Sequence, residues 1–288
     1  MMTATVAMFV ASLVCILLVA FRTRRAIRGL WSRLENLQQQ IRAARIAQNE
    51  ASNQVYSDLA SHIHNKTISF QSQHGEDVFL WNYFERKSDG TCVEVGAFDG
   101  KSCSNTYAFE ALGWKCILVE PDPEMADRCR MNRPESDVVQ AAVGGRDASG
   151  TITFNKVRSD ADWSGMMSFT EADPVHLEKC KRLNASIESV TVPHRSLNEI
   201  LKDVTGPIDF MTIDVEGHEM EVLDGLDLER FRPTVLVTEC TYDRERDLVG
   251  QYLAARNYER VTTVGCNHFF TRIQSNGNDR RLDQVQSS

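Results

Sequence analysis

The stretch Val93-Glu94-Val95-Gly96-Ala97-Phe98-Asp99-Gly100 decides the fold. An apolar run of strand length, residues 91–95, stops at a glycine, and a second glycine follows four positions later, ahead of a helical pattern over 104–112. Two glycines so placed let the backbone turn tightly beside a ligand, because glycine alone takes positive φ without steric cost. The same alternation recurs outward from this point. Strand-length runs lie at 115–120, 138–143, 208–214 and 233–239, with helical patterns at 123–132 and 219–226. Strands alternating with helices predict an α/β fold, a mostly parallel central sheet with helices on both faces. Runs at 258–263 and 268–271, either side of Gly265, read as a terminal antiparallel pair. Ligands of such sheets bind beyond the carboxyl ends of the strands, so the residues that end each run are the candidate site.

Those ends differ in chemistry. The dinucleotide pattern G-x-G-x-x-G is absent, because Phe98 stands where its second glycine belongs. This weakens a nicotinamide reading and suits the E-x-G-x-x-x-G loop of S-adenosylmethionine methyltransferases. The second run ends in Glu120, twenty positions past Gly100, with Pro121 and Pro123 stopping the strand and opening the next helix. A carboxylate there can accept both ribose hydroxyls of a nucleoside, or be an ordinary solvated strand end. After the third run, Ala141-Ala142-Val143-Gly144-Gly145 leaves room for a flat adenine ring at Ala142, although small residues also serve close helix packing. The fourth run ends in Ile213-Asp214-Val215-Glu216-Gly217-His218-Glu219. An acidic first helical turn accounts for Glu219 and Glu216, but not for Asp214 directly after an apolar strand.

Composition bounds the remaining classes. With 288 residues, 42% of them hydrophobic, and only 16 glycines and 7 prolines, the chain is expected to build a packed core. The net charge of −8 is unevenly divided. Residues 1–65 hold seven arginines against Glu35, Glu50 and Asp58, a net +4, which leaves −12 for the rest. An acidic body argues against nucleic acid as the main partner, since phosphate binding needs clustered Lys and Arg. Residues 4–21 carry no charge and span roughly 27 Å as a helix, against a hydrocarbon core of about 30 Å. With Arg22, Arg24 and Arg25 on its carboxyl side only, the segment reads as a single-pass transmembrane anchor over 1–24 that leaves the body in the cytosol. A cleaved signal peptide and a buried core helix are the alternatives.

Leu30, Leu34, Leu37, Ile41, Ala44, Ala51 and Val55 follow at steps of four and three, interrupted at Gln48. This predicts a helical stalk over 25–65, either a lone amphipathic helix or a coiled coil that pairs two copies of the chain. The body is expected over 66–272 and a loose tail over 273–288. The eight cysteines form no CxxC pair and no Cys/His cluster at zinc spacing, which suits a reducing compartment and no structural metal.

In order, Ser72-Gln-His-Gly-Glu-Asp77, Val93 to Gly100, Ser104-Asn-Thr106, Gly113-Trp114, Leu118-Val-Glu-Pro121 and Ile213-Asp-Val-Glu-Gly-His-Glu219 resemble the FkbM family of S-adenosylmethionine-dependent methyltransferases. The resemblance covers about 72–239. It implies the Rossmann-like class I methyltransferase fold, S-adenosylmethionine as cofactor, and methyl transfer to oxygen, often on sugars, lipids or polyketides. Cofactor binding then falls to Gln73, Glu94, Gly96, Ala97, Gly100, Glu120 and Pro121, with Ala142 beside the adenine. Asp214, Glu216 and His218 correspond to the signature beside the transfer site. Many members carry Lys where Thr212 stands here, so an anionic acceptor is not implied for this chain.

Removing the proton of an acceptor hydroxyl calls for a base, and His218, ordinarily near pKa 6.5, is the first candidate. Glu216 or Asp214 can take that proton instead, or orient the histidine. Asp214 and Glu239 offer hard oxygen ligands to Mg²⁺, but spacing shows no ligand cluster and the expected site contains no metal. The long excursion 151–190, with Trp163, Met166, Met167 and Phe169, either closes over the acceptor or packs on its own aromatics. The rival to an enzyme is a membrane-anchored scaffold that keeps the fold without the activity.

Overall fold

The structure, a computed structural model, describes residues 2–171, 174–239 and 243–273. In chain order the helices are α1 (Met2–His64), α2 (Glu76–Tyr83), α3 (Tyr107–Leu112), α4 (Pro123–Asn132), α5 (Pro174–Arg182), α6 (Leu197–Ile200), α7 (Glu219–Asp224) and α8 (Asp243–Ala254). The strands are β1 (Thr91–Val95), β2 (Lys115–Val119), β3 (Asp137–Val139), β4 (Ala142–Gly144), β5 (Thr151–Arg158), β6 (Ser186–Ser196), β7 (Phe210–Ile213), β8 (Val235–Glu239), β9 (Tyr258–Val264) and β10 (Asn267–Arg272).

Seven strands form one sheet in the order β3-β2-β1-β7-β8-β10-β9. β1, β2, β3, β7 and β8 run parallel, and β10 lies antiparallel to both β8 and β9. The result is a Rossmann-like methyltransferase fold with a mixed sheet, and its chain order reverses between β1 and β7. The expected terminal pair is β9 and β10, turning at Gly265 with φ +61. Side chains alternate between two cores. Val93, Val95, Met211, Ile213 and Leu236 point to the side that also buries Val222, Val249 and Tyr258. Cys92, Phe210, Val235 and Val237 point to the other, among Trp81, Phe109, Trp114 and Phe269.

The run 138–143, expected as one strand, is two. β3 closes the edge of the main sheet beside β2, whereas β4 pairs with β6 in a separate three-stranded sheet β4-β6-β5. Apolar character marks both halves as buried and carries no information on which sheet each joins. The helix expected from residue 104 begins at Tyr107 instead, because Ser104, Asn105 and Thr106 are bound to Glu94.

The chain divides into two compact units at Glu50 and Ala51. In the first unit Leu30, Leu34, Leu37 and Ile41 are exposed. In the second, Ala60 at the end of α1 is wholly buried in the core with Ile68 and Trp81. No helix is long and apolar enough to cross a membrane among the described residues, and the side chains of residues 1–26, where the anchor is expected, lie outside them. The expected tail lies outside the described residues too, apart from Ile273.

Candidate active site

The carboxyl ends of β1, β2 and β7 open into a cavity of about 1010 Å³, counted out to its mouth. Its floor is the β1 turn. Gly96 and Ala97 donate their N–H groups to Val119 O at 3.0 and 3.2 Å, and Asp214 N donates to Val95 O at 3.0 Å. Gly96 has φ +85, and a Cβ there would stand 1.8 Å from Asp214 O, so only glycine lets the two strand ends come this close. Phe98, at φ +50, turns the loop so that its N–H donates to Glu120 Oε2 at 2.9 Å.

Glu120 also accepts from Asp122 N at 2.8 Å. Burial pushes its carboxyl up to about 8, against the opposing pull of these two N–H groups. Glu94 stands on the same cavity wall, fully engaged. It accepts from Ser104 Oγ, Asn105 N and Thr106 Oγ1 at 2.6–2.7 Å, with Arg133 Nη1 at 4.0 Å. Its carboxylate thus ties the 104–106 loop to β1, and a ligand contact would come on top of these.

The other half of the cavity is acidic. Asp214, Glu216 and Glu239 each offer a carboxylate oxygen within 4.8 Å of the others. Ile213 pairs with Thr238, so Asp214 and Glu239 occupy the next position of the β7–β8 register, side by side. Asp214 is exposed to the open cavity yet enclosed by its walls, and desolvation, reinforced by Glu239, Glu216 and Glu219, raises its carboxyl above the usual carboxylate range. Burial takes Glu216 to about 8, with Glu239 adding to the shift and Lys179 opposing it. Glu219, raised to about 7 mainly by burial, accepts from Val215 N and Gly217 N and so holds the loop before α7. His218 lines the cavity with its Nδ1 buried and without a hydrogen-bond partner.

Nine of the expected site residues line one cavity: Glu94, Gly96, Ala97, Glu120, Pro121, Ala142, Asp214, Glu216 and His218. Gln73 is exposed and is not among the lining residues, although the adjacent Ser72 bridges Cys103, which is, and at Gly100 a Cβ would stand 3.1 Å from Cys129 Cα. The motif 72–77 has a local task. Asp77 accepts from Gln71 N and Ser72 N ahead of α2, and Glu76 accepts from Asn267 Nδ2 at 2.8 Å.

The excursion packs on a small apolar core of its own and also reaches the cavity. Val157, Met167, Phe169 and Cys180 form a small core of their own, while Gly165, Met166, Ser168 and Thr170 face the cavity. It meets the acidic loop through His176, whose Nδ1 is 3.6 Å from Glu216 Oε2. No local sequence signal marks His176, because its partner is forty positions away.

The cavity fits the cofactor that the sequence implies. It has a glycine-floored turn, a buried carboxyl at the end of β2 and the small Ala142 in its wall. Residues 94–274 match the family model for the methyltransferase FkbM domain. Solved structures similar to this chain include an O-methyltransferase from Bacillus cereus in complex with SAH (14% identity, 80% of this chain and 100% of that chain, TM-score 0.41). A precorrin-6y C5,15-methyltransferase from Geobacter metallireducens (12%, 70% and 87%, 0.39) and a ribosomal protein L11 methylase from Lactobacillus delbrueckii subsp. bulgaricus (10%, 68% and 78%, 0.37) are similar at the same level. No curated protein sequence matches the chain. The family model covers well over half of the chain and its span contains the whole cavity wall from Glu94 to His218, so this chain belongs to the FkbM family of S-adenosylmethionine-dependent methyltransferases.

Proposed function

We propose that the protein methylates a hydroxyl oxygen on a sugar, lipid or other small molecule. The observation that carries this reading is His218, a histidine with a buried, unpartnered Nδ1 on the wall of the cavity that holds Glu120 and the glycine turn. Bound S-adenosylmethionine supplies an electrophilic methyl group on a sulfonium. Gly96, Ala97, Glu120, Pro121 and Ala142 are the residues that would hold it, with Glu120 offering its carboxyl to the ribose. His218 takes the hydroxyl proton through its imidazole, which lines the cavity. Glu216, raised to about 8, is the second proton acceptor in reach of the same loop. Met166 and Thr170 of the excursion bound the acceptor and exclude water from the reacting atoms.

In the same reading the apolar segment 4–21 anchors the chain in a membrane and the arginines after it keep the body in the cytosol, which brings lipid and glycan acceptors within reach. The heptad-spaced, exposed Leu30, Leu34, Leu37 and Ile41 support pairing of two copies through the stalk.

Calorimetric titration of the full chain with S-adenosylmethionine, beside Glu120→Ala, is the primary test. Saturable heat that the variant loses agrees with the enzyme reading, and no heat at millimolar ligand leaves the inactive scaffold. His218→Ala is expected to lower turnover about 10²-fold or more with cofactor affinity unchanged. Full turnover by that variant would remove His218 from the chemistry.

A further inference from the structure

We propose that Asp214, Glu216 and Glu239 bind a divalent cation that prefers oxygen ligands, Mg²⁺ or Mn²⁺, at the carboxyl ends of β7 and β8. Three observations meet here. The first is spacing: one oxygen from each carboxylate lies within 4.8 Å of the other two. An ion held at about 2.1 Å from each ligand sits between oxygens roughly 3–4 Å apart, so small side-chain rotations close the set. The second is the strand register. Asp214 and Glu239 are neighbours across β7 and β8, while Glu216 comes from the loop that follows β7. The ligands therefore come from two strand ends and a loop, which local sequence spacing does not reveal.

The third observation is independent of the acids. Thr212 is 2% exposed, lines the same cavity, and its Oγ1 has no hydrogen-bond partner. It lies two residues before Asp214 on β7, so both side chains leave the same face of the sheet, the face that Glu239 shares through its register with Asp214. A buried, unpartnered hydroxyl on this cavity wall, on the sheet face that carries the carboxylates, is accounted for by a hydrated ion, whose water gives it a partner. Hard carboxylate and water oxygens select Mg²⁺ or Mn²⁺ over softer metals.

This deepens the methyl-transfer reading by adding a ligand to the same cavity, and its test reads the ion without turnover. The full chain, stripped with chelator, is titrated with MnCl₂ and free Mn²⁺ is followed by electron paramagnetic resonance. The expected result is one site per chain with a submillimolar dissociation constant. It weakens at least tenfold in Glu239→Gln and in Asp214→Asn and is unchanged in Glu221→Gln, an exposed acid on α7. Thr212→Val, which keeps every carboxylate, is expected to weaken it about tenfold and serves if the acid variants lose their fold by circular dichroism. Absence of a submillimolar site, or equal affinity in the folded variants, overturns the ion. S-adenosylmethionine affinity is measured on the same samples. Cofactor binding without Mn²⁺ binding removes the ion alone, whereas loss of both removes the methyl-transfer reading as well.

Discussion

Two groups of carboxylates end neighbouring strands of one sheet and have opposite surroundings. On the β1–β2 side, Glu94 and Glu120 are each surrounded by donors, three for Glu94 and two for Glu120. On the β7–β8 side, Asp214, Glu216 and Glu239 bring carboxylate oxygens within 4.8 Å of one another, with His176 and Lys179 beside Glu216. An acid at a strand end is therefore not one kind of feature. The first pair fastens loops to the sheet, and the second set crowds acidic groups together, which raises the carboxyls of Asp214 and Glu216, at the place where chemistry is expected. Folding energy spent on the second group is what keeps it available for ligands.

The floor shared by both sides is where the arrangement breaks most severely. Gly96→Ala would put a methyl group onto Asp214 O at a positive φ, so we expect a loss on the order of 3 kcal/mol or more, roughly 6–12 °C in melting temperature, together with loss of cofactor binding. A variant that melts like the parent would show that the two strand ends are farther apart than described.

Next, equivalent substitutions on the two sides should have opposite signs. Glu94→Gln leaves buried donors and Arg133 short of an acceptor and should cost about 2–4 kcal/mol. Glu216→Gln, measured at pH 8.5 with chelator present, removes a repelling charge and should raise the melting temperature by about 2–4 °C. If both variants melt lower, the contrast between the two groups is wrong.

A smaller effect follows from Glu120. Its carboxyl is raised from 4.5 to about 8 in the folded state, so the stability it lends is complete below about 4.5 and is lost as pH rises through about 8. Thermal melts of the cofactor-free protein should therefore decline between about pH 4.5 and 8 and level off above, with a part on the order of 1 kcal/mol missing in Glu120→Gln. An identical slope in the variant would assign the decline to other groups. The smallest effect belongs to Thr212→Val. Exchanging an unpartnered buried hydroxyl for a methyl should change stability by less than about 0.5 kcal/mol in cation-free buffer, or raise it slightly. A loss several times larger would mean that the hydroxyl is bonded.

Much of this was legible in the sequence because the relevant signals are local. The strand at 91–95, the glycine turn, Glu120 and the 213–219 cluster lie within short windows, and alternation of strands with helices gives the sheet its parallel character. What escaped depends on distant pairs. The division of 138–143 between two sheets requires β6, about fifty residues on, and the engagement of Glu94 by Arg133 spans thirty-nine positions. Glu239 joins Asp214 only through the register of β7 with β8. Gln73 stands outside the lining because membership of a motif does not distinguish a residue on a cavity wall from one beside the segment that orders a helix start.

The short strand β4 has a further consequence. It continues from the edge of the main sheet, lends Ala142 and Val143 to the cavity, and carries β6, and through it β5 and the whole excursion. The segment between β5 and β6 is thus joined to the cavity wall through β4 and β6, an attachment separate from the glycine turn and Glu120.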